Sequence, residues 1–449
     1  MGHFLDFYRC PESFGSIAPP ASVGPDSGYF RFGPDLICFG RCASGQSSRI
    51  PENGLYDAMR GTTAGFPTVS LPFDPGEVVD NLRLERYLAA SNGSALGRLI
   101  RDSYYLLRPA LGVPVRKHLQ KLFFRGWEKL PFPSWPVDTT VDRLFERLML
   151  LALEASGTRA VPFIWFWPDG APSCAIMTHD VETAAGAAFC ANLMDIDDAH
   201  GISASFQLVP EERYPVSKQL RDNIRRRGFE LNVQDLNHDG RLFRDQKTFL
   251  ARAGAINRYA REYGSRGFRS AAMYRNPEWY GALEVSYDLS VPNTARLEPQ
   301  RGGCCTVFPY FIGNILELPL TATQDYSLFH ILNDYSIALW NRQVELIREK
   351  HGLVSFIIHP DYIIPEQARG TYLALLDYLV RLRDAGQLWF AQPGEVDTWW
   401  RQRAAMQLIS ENGRWVVKGP GSERARIAFA AREDNRLVYR LSNPADCPA

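Results

Sequence analysis

The sequence has no excess of charge of either sign and no long apolar run. Lys plus Arg and Asp plus Glu number 50 each among 449 residues, so the formal net charge is zero. Nucleic-acid-binding proteins carry an excess of basic side chains, so we expect no nucleic-acid partner. No run of eighteen apolar residues occurs, so we expect no transmembrane helix. Residues 1–6 lack a basic segment followed by an apolar core, which predicts no signal peptide and a cytoplasmic protein.

The chain also lacks a Cys-x-x-Cys pair among its eight cysteines. Cys38 and Cys42 could be metal ligands, but no second pair completes such a site. Cys304 and Cys305 are adjacent, which is a poor geometry for a disulfide between them. We therefore expect buried free thiols in a reducing compartment.

The chain is longer than one hydrophobic core usually allows, so we expect several domains. Residues 1–75 are rich in Gly, Pro and Ser and predict a β-rich N-terminal module. Residues 76–155 predict a helical segment and linker, and 156–401 predict a barrel domain. Residues 402–449 carry short apolar runs separated by Asn-Gly and Gly-Pro-Gly turns, typical of a small antiparallel β appendage.

Within the helical segment, residues 99–127 alternate apolar and aromatic side chains with Arg and Lys. A basic, aromatic amphipathic stretch can lie on an anionic membrane surface, which would place the protein peripherally at the inner face of the membrane. The same stretch can form a helix pair that packs on the next domain, and we favour packing. Both alternatives remain open at the level of the sequence.

From residue 161 onward, segments with strand patterns and segments with helix patterns alternate. Short apolar runs predict strands at Cys174–Thr178, Ser203–Val209, Phe229–Val233, Gly267–Ala271, Ile315–Leu320, Val354–Ile358 and Leu388–Ala391. Amphipathic stretches predict helices at Ala187–His200, Ser217–Arg227, Lys247–Tyr263, Ile337–His351 and Tyr372–Ala385. This alternation indicates an α/β fold in which a parallel sheet is closed or nearly closed into a barrel.

Polar clusters lie at or just after the ends of the predicted strands. They are Thr178-His179-Asp180-Val181-Glu182, Gln234 to Gly240 with His238 and Asp239, Arg269 with Tyr274-Arg275-Asn276, Tyr287-Asp288-Leu289-Ser290, and His359-Pro360-Asp361. Carboxyl ends of parallel strands meet at one edge of a sheet, so we expect these clusters to share a crevice. Singly, a His at such a position is more often structural.

These residue types together make up the set needed for metal-assisted hydrolysis of an amide or ester. A carboxylate with one or two imidazoles is an open metal site. A second carboxylate can take a proton from water, and a nearby Arg can keep that base ionised by lowering its pKa. A His across the cleft can protonate a leaving amine.

The clusters resemble, in order along the chain, the motifs of the NodB-like polysaccharide deacetylases, carbohydrate esterase family four. The resemblance covers about residues 172 to 395, and Thr178-His179-Asp180-Val181-Glu182 is similar to a Thr-x-Asp-Val-Asp branch of the first motif. It implies a distorted (β/α)7-type barrel, a divalent metal, usually zinc, and N- or O-deacetylation of sugars. Carbohydrate or a glycan precursor is the implied substrate.

The resemblance also implies a role for each matching residue. Asp180 would be the general base and Glu182 the first metal ligand. Gln234 and His238 occupy the two positions of a His-x-x-x-His ligand motif, and Arg269 would hold the base. His359 would be the catalytic acid. The candidate substrate contacts are His179, Asp239, Tyr274, Asp288 and Ser290.

Two departures from the motifs concern the metal. Glu182 stands where the family has Asp, and its longer arm can still ligate. Gln234 stands where the family has His, and an amide oxygen is a weaker ligand for zinc. The site could bind metal through Glu182, His238 and a substitute such as Gln234, His179 or Asp239. It could instead prefer a harder ion, or bind none.

The sequence therefore predicts a metal-dependent deacetylase that removes an acetyl group from an N-acetylated sugar, polysaccharide or glycan precursor. The alternative is a catalytically impaired glycan-binding pseudoenzyme or a scaffold in polysaccharide biosynthesis. Hydrolysis of a non-sugar C–N bond is a third hypothesis, because a fold does not fix a substrate.

Overall fold

The computed structural model describes residues 2–88 apart from 15–16, 19, 21, 44, 46, 52–53 and 66–67, together with 124, 126–434 and 436–442. The chain divides into two compact units. Unit 1 comprises Met1–Asn92, Thr139–Ala171 and Thr398–Ala449, and unit 2 comprises Gly93–Asp138 and Pro172–Asp397. Most of the 99–127 stretch lies outside the described residues, so both interpretations of it stay predictions.

The described α-helices are α1 Gly2–Tyr8, α2 Pro75–Arg83, α3 Thr140–Ser156, α4 Ala184–Ala199, α5 Lys218–Arg226, α6 Gln246–Glu262, α7 Ala338–Arg348, α8 Glu366–Asp384 and α9 Pro393–Ala405. The strands are β1 Ile17–Ala18, β2 Gly28–Arg31, β3 Ile37–Gly40, β4 Thr63–Gly65, β5 Thr68–Ser70, β6 Ala160–Ile164, β7 Cys174–Val181, β8 Ser205–Leu208, β9 Glu230–Gln234, β10 Gly267–Arg269, β11 Tyr287–Asp288, β12 Tyr310–Ile312, β13 Ile315–Glu317, β14 Leu353–Ile358, β15 Trp389–Phe390, β16 Gln407–Glu411, β17 Arg414–Lys418, β18 Ile427–Glu433 and β19 Arg436–Leu441. None of the helices among the described residues is long and apolar enough to span a bilayer.

Unit 2 is built on one sheet with the strand order β12-β13-β11-β10-β9-β8-β7-β14, and β15 also pairs with β7. All neighbours in this sheet are parallel except β12 and β13. The sheet curls into a partial barrel surrounded by helices, which confirms the predicted α/β class and distorted barrel. Every residue of β7 is buried, as expected for a parallel strand covered on both faces.

Polar side chains cap the helices that follow β7 and β9. The hydroxyl of Thr183 accepts a hydrogen bond from the backbone N–H of Gly186 at 3.0 Å, so α4 is capped one residue after Glu182. Asp245 caps α6 in the same way, accepting from the N–H of Thr248 at 2.7 Å. Such caps satisfy N–H groups that the helix itself leaves unpaired.

Unit 1 brings distant parts of the chain into shared sheets. Strand β18 lies between β19 and β6 in a three-stranded antiparallel sheet, so the C-terminal stretch shares a sheet with Ala160–Ile164. Strands β16 and β17 form a separate hairpin. The antiparallel strands expected between residues 402 and 449 are thus present, with one of them also paired to β6.

A buried arginine ties three parts of unit 1 together. The guanidinium of Arg403 on α9 donates to the carbonyls of Phe7 and Tyr8 on α1 at 2.8 and 3.3 Å. It also donates to the carbonyls of Ile164 and Trp165 at 2.7 and 3.0 Å. Burial lowers the pKa of Arg403 to about 9.

Replacing Arg403 with Met should destabilise unit 1 by about 3 kcal/mol, because several buried carbonyls would lose their donor. The measurement is urea-induced unfolding followed by tryptophan fluorescence. The exposed Arg414 serves as the control, and Arg414→Met should leave the unfolding midpoint unchanged. Equal midpoints for the two variants would contradict this role of Arg403.

Candidate active site

Strand β7 directs its alternate side chains to different surroundings. The hydroxyl of Thr178 donates to the carbonyl of Phe356 at 2.6 Å and accepts from Arg269 at 2.8 Å. His179 points elsewhere, and its Nε2 is bonded to Asp197 at 2.8 Å in a fully buried pair. The structure therefore does not bring His179 together with the other candidate site residues.

Asp180 and Arg269 form a buried ion pair. Arg269 Nη1 donates to Asp180 Oδ1 at 2.8 Å, and Arg269 Nε donates to the carbonyl of Leu289 at 3.2 Å. We expected Arg269 to lower the pKa of Asp180. Burial instead outweighs the opposing charges of Arg269 and His359 and raises the pKa of Asp180 above its usual value. A carboxylate held in this way is a stronger base than one in water.

Glu182 is the point where three side chains converge. Its Oε1 accepts from His238 Nε2 at 2.7 Å and from Gln234 Nε2 at 2.9 Å, and it lies 3.4 Å from His359 Nε2. Burial alone would raise the pKa of Glu182, but His238 and His359 hold it well below its usual range. Glu182 is therefore ionised at neutral pH.

Gln234 occupies the end of β9 and is fully buried. Its amide nitrogen donates to Asp180 Oδ2 at 3.2 Å as well as to Glu182 Oε1. Its carbonyl oxygen is buried and has no hydrogen-bond partner among the described residues. The amide thus bridges the two carboxylates at the position where the family motif has an imidazole.

His359 follows β14 and is held by a carboxylate that we did not identify from the sequence. Asp325 Oδ1 accepts from His359 Nδ1 at 2.6 Å, and Asp325 Oδ2 accepts from the His359 backbone N–H at 2.7 Å. Burial lowers the pKa of His359, but Asp325 and Glu182 outweigh it and hold that pKa well above its usual value. These two carboxylates therefore favour the protonated form of the imidazole, which can donate a proton.

The site offers a suitable set of ligands for a divalent cation. Asp180, Glu182 and His359 each present a ligand atom, and these atoms lie within 4.8 Å of one another. His238 Nε2 and the amide nitrogen of Gln234 contact the same Glu182 oxygen, and the buried carbonyl oxygen of Gln234 has no hydrogen-bond partner among the described residues. Carboxylates, imidazoles and an amide oxygen are donors that fit Zn²⁺, Mn²⁺ or Mg²⁺ to different degrees, so the residues present fit a divalent metal.

The remaining predicted substrate contacts bond with other partners. Asp239 forms a bidentate ion pair with Arg252, whose two Nη atoms donate to its carboxylate oxygens at 2.8 and 2.7 Å. Asp288 accepts from both the N–H and the hydroxyl of Ser290, at 3.0 and 2.7 Å, and both residues are buried. Tyr274 is also buried. The bonds of Asp239, Asp288 and Ser290 given above therefore lead away from the cluster of Asp180 and Glu182.

Asp288 and Ser290 instead brace the turn that orients Arg269. Ser290 accepts the N–H of Ser270, the residue after Arg269, at 2.8 Å. Glu317 accepts the N–H of Val291 at 3.0 Å from the neighbouring strand. The carbonyl that receives the Arg269 guanidinium belongs to Leu289, which lies between Asp288 and Ser290 in the chain. These residues act on Asp180 through Arg269.

No protein-family model and no curated protein matches the chain. Among solved structures, the chain resembles a Mycobacterium smegmatis protein described as a polysaccharide deacetylase, with 17% identity, a TM-score of 0.44, and coverage of 56% of this chain and 97% of the other. For Puue allantoinase the identity is 12%, the TM-score is 0.41, and the coverage is 52% of this chain and 92% of the other. For the peptidoglycan deacetylase PdaC from Bacillus subtilis the identity is 12%, the TM-score is 0.34, and the coverage is 52% of this chain and 94% of the other.

Polysaccharide and peptidoglycan deacetylases thus recur among the solved structures that the chain resembles, as the motif resemblance implied.

Replacing Gln234 with His should tighten Zn²⁺ binding by about tenfold or more, because imidazole is a better zinc ligand than an amide oxygen. The measurement is equilibrium dialysis against Zn²⁺ with metal analysis of the protein. The exposed Gln219 on α5 provides the control, and Gln219→His should leave the affinity unchanged. If neither the unmodified protein nor Gln234→His held zinc, the metal site would be refuted.

Proposed function

We propose that the chain is a metal-dependent hydrolase that removes an acetyl group from an N-acetylated sugar, polysaccharide or glycan precursor. The observation that carries this proposal is that a base and a proton donor lie together beside the carboxylate of Glu182. A base, Asp180, is paired with Arg269. A proton donor, His359, is paired with Asp325 and lies 3.4 Å from Glu182.

These contacts suggest a role for each residue in the proposed reaction. A divalent cation held by Glu182, His238 and neighbouring oxygens would polarise the acetyl carbonyl and lower the pKa of a bound water. Asp180 takes a proton from the attacking water, and Arg269 holds the carboxylate in position to accept it. His359 gives its proton to the leaving nitrogen, so the amine departs neutral. Zinc is the ion that we propose, in line with the motif resemblance.

A second candidate function is a glycan-binding pseudoenzyme, and one observation favours it. The Gln234 amide nitrogen donates to both Asp180 and Glu182, which partly offsets their negative charges without a cation. If that arrangement persists in solution, the site binds a ligand without turning it over. Measurements of metal binding and of acetate release distinguish the two functions, because only the hydrolase should bind a metal and release acetate.

Asp180→Asn should lower the rate of acetate release by about 10²–10⁴-fold, because the amide cannot accept the proton from water. The measurement is acetate release from N-acetylglucosamine oligomers with Zn²⁺, Co²⁺ or Mn²⁺ added. Asp222→Asn, at an exposed ion pair on α5, is the matched control and should retain the full rate. Retention of activity in Asp180→Asn would refute the role of this carboxylate as base.

Asp325→Asn should move the alkaline limb of the pH–kcat profile to lower pH by about one unit or more. The folded-state pKa of His359 is raised, so its proton is present below that pKa and lost as pH rises through it. Removing the Asp325 charge lowers the pKa, and activity should therefore fall at a lower pH. An alkaline limb that does not move would show that His359 is not the acid.

A further inference from the structure

Two buried acidic side chains lie side by side in the sheet of unit 2. Asp288 on β11 and Glu317 on β13 are register partners in neighbouring parallel strands, so their side chains leave the sheet on the same face. Both residues are fully buried, and neither carboxyl group has a part in the proposed reaction. Two carboxylates buried side by side repel each other, so one of them must be neutral or be offset by a cation.

The hydrogen-bond donors differ between the two carboxyl groups. Both oxygens of Asp288 accept hydrogen bonds, from the hydroxyl and the N–H of Ser290. Oε1 of Glu317 accepts the N–H of Val291 at 3.0 Å, but Oε2 is buried and has no N–H or O–H donor among the described residues. A buried carboxylate oxygen without a donor is costly, whereas a protonated carboxyl group carries a donor of its own. The donors therefore favour a carboxylate at Asp288 and a neutral carboxyl group at Glu317.

The side chains next to the pair in the sheet bring no positive charge. The register partner of Asp288 on β10 is Phe268, and that of Glu317 on β12 is the buried Tyr310. Tyr280 also faces the pair, and burial together with the charges of Asp288 and Glu317 raises the pKa of Tyr280 well above its usual value. The phenol of Tyr280 is therefore neutral at physiological pH.

Arg275 is the cation that attracts Glu317, and it has other partners. Its Nη1 donates to the carbonyl of Met273 at 2.8 Å and to the carbonyl of Gln300 at 3.5 Å. Burial, the charge of Asp288 and a hydrogen bond with Asp288 raise the pKa of Glu317 well above its usual value, and the attraction of Arg275 does not offset them. One guanidinium that is bonded elsewhere thus leaves the pair with more negative charge than it can balance.

We propose that Glu317 is a positioning residue that acts in its neutral form, with a proton on Oε2 that it shares with Asp288. The shared proton joins β11 to β13 at the start of the turn that contains Leu289. The carbonyl of Leu289 accepts Arg269 Nε at 3.2 Å, and Glu317 holds the far end of the turn through the N–H of Val291. The protonation state is independent of the proposed function, whereas its effect on catalysis through Arg269 rests on that function.

Infrared difference spectroscopy of the full chain tests for the proton directly. At neutral pH, subtracting the spectrum of Glu317→Gln from that of the unmodified protein should leave the carbonyl stretching band of a protonated carboxylic acid, and this band should shift in D2O. Glu284→Gln, at an exposed ion pair with Arg261, is the matched control and should give no such band. A Glu317→Gln difference spectrum that contains carboxylate bands alone would refute the shared proton.

The pH dependence of stability provides a second measurement, by urea-induced unfolding. Glu317 is ionised in the unfolded chain near neutral pH, so unfolding releases its proton and the stability of the unmodified protein should fall as pH rises. Glu317→Gln has no such proton, so the slope of the logarithm of the unfolding constant against pH should be smaller by about one between about pH 6 and pH 8. Glu284→Gln should keep the slope of the unmodified protein. Equal slopes for all three proteins would contradict a neutral Glu317.

Acetate release from N-acetylglucosamine oligomers reports on the positioning role. Glu317→Leu removes the shared hydrogen bond and the partner of the Val291 N–H, and should lower kcat by about tenfold with little change in KM. Glu317→Gln keeps a carbonyl for Val291 and an N–H donor for Asp288, and should restore most of kcat. An equal loss of kcat in both variants would show that the ionised form is required and would overturn the proposal. If melting curves show that Glu317→Leu does not fold, the glutamine variant and the two measurements above decide.

The outcomes distinguish this inference from the proposed function. A protonated-acid band that Glu317→Gln removes, in a chain that releases no acetate with any added metal, keeps the shared proton and refutes the deacetylase. Acetate release by an unmodified protein that lacks this band refutes the shared proton and keeps the deacetylase.

Discussion

The buried ion pair between Asp180 and Arg269 is possible only because the sheet is curled. Asp180 lies on β7 and Arg269 on β10, and two strands separate them in the sheet. In a flat sheet three strand spacings would put them about 14 Å apart, too far for a hydrogen-bonded pair. The observed 2.8 Å contact therefore joins side chains across the concave face of the sheet. The curvature of the sheet therefore determines both the position of Asp180 and its pairing with Arg269.

The sequence predicts which residues lie in the site better than it predicts where their side chains point. Asp180, Glu182, Gln234 and Arg269 could be grouped because carboxyl ends of parallel strands meet at one edge. The period-2 alternation of a strand could have shown that His179 faces away from its neighbour Asp180. Asp325 could not be found in this way, because it precedes an irregular turn and pairs with His359 only through tertiary structure.

The cluster around Glu182 links cation binding to proton movement. One carboxylate oxygen faces His238, His359 and the Gln234 amide, so a cation must compete with N–H donors for it. A metal ligand imidazole must be unprotonated, and the nearby carboxylate favours the protonated form of His238. Binding of a cation should therefore release a proton, and its affinity should fall with decreasing pH.

The pairing of β18 with β6 has a consequence for synthesis of the protein. All of unit 2 has been made once residue 397 is added, and its sheet uses only strands between 174 and 390. The middle strand of the unit 1 sheet, Ile427–Glu433, is made after Ala160–Ile164 and after all the strands of the unit 2 sheet. Until β18 has been made, strand Ala160–Ile164 has an edge that lacks this partner, and an unpaired strand edge can aggregate with other chains.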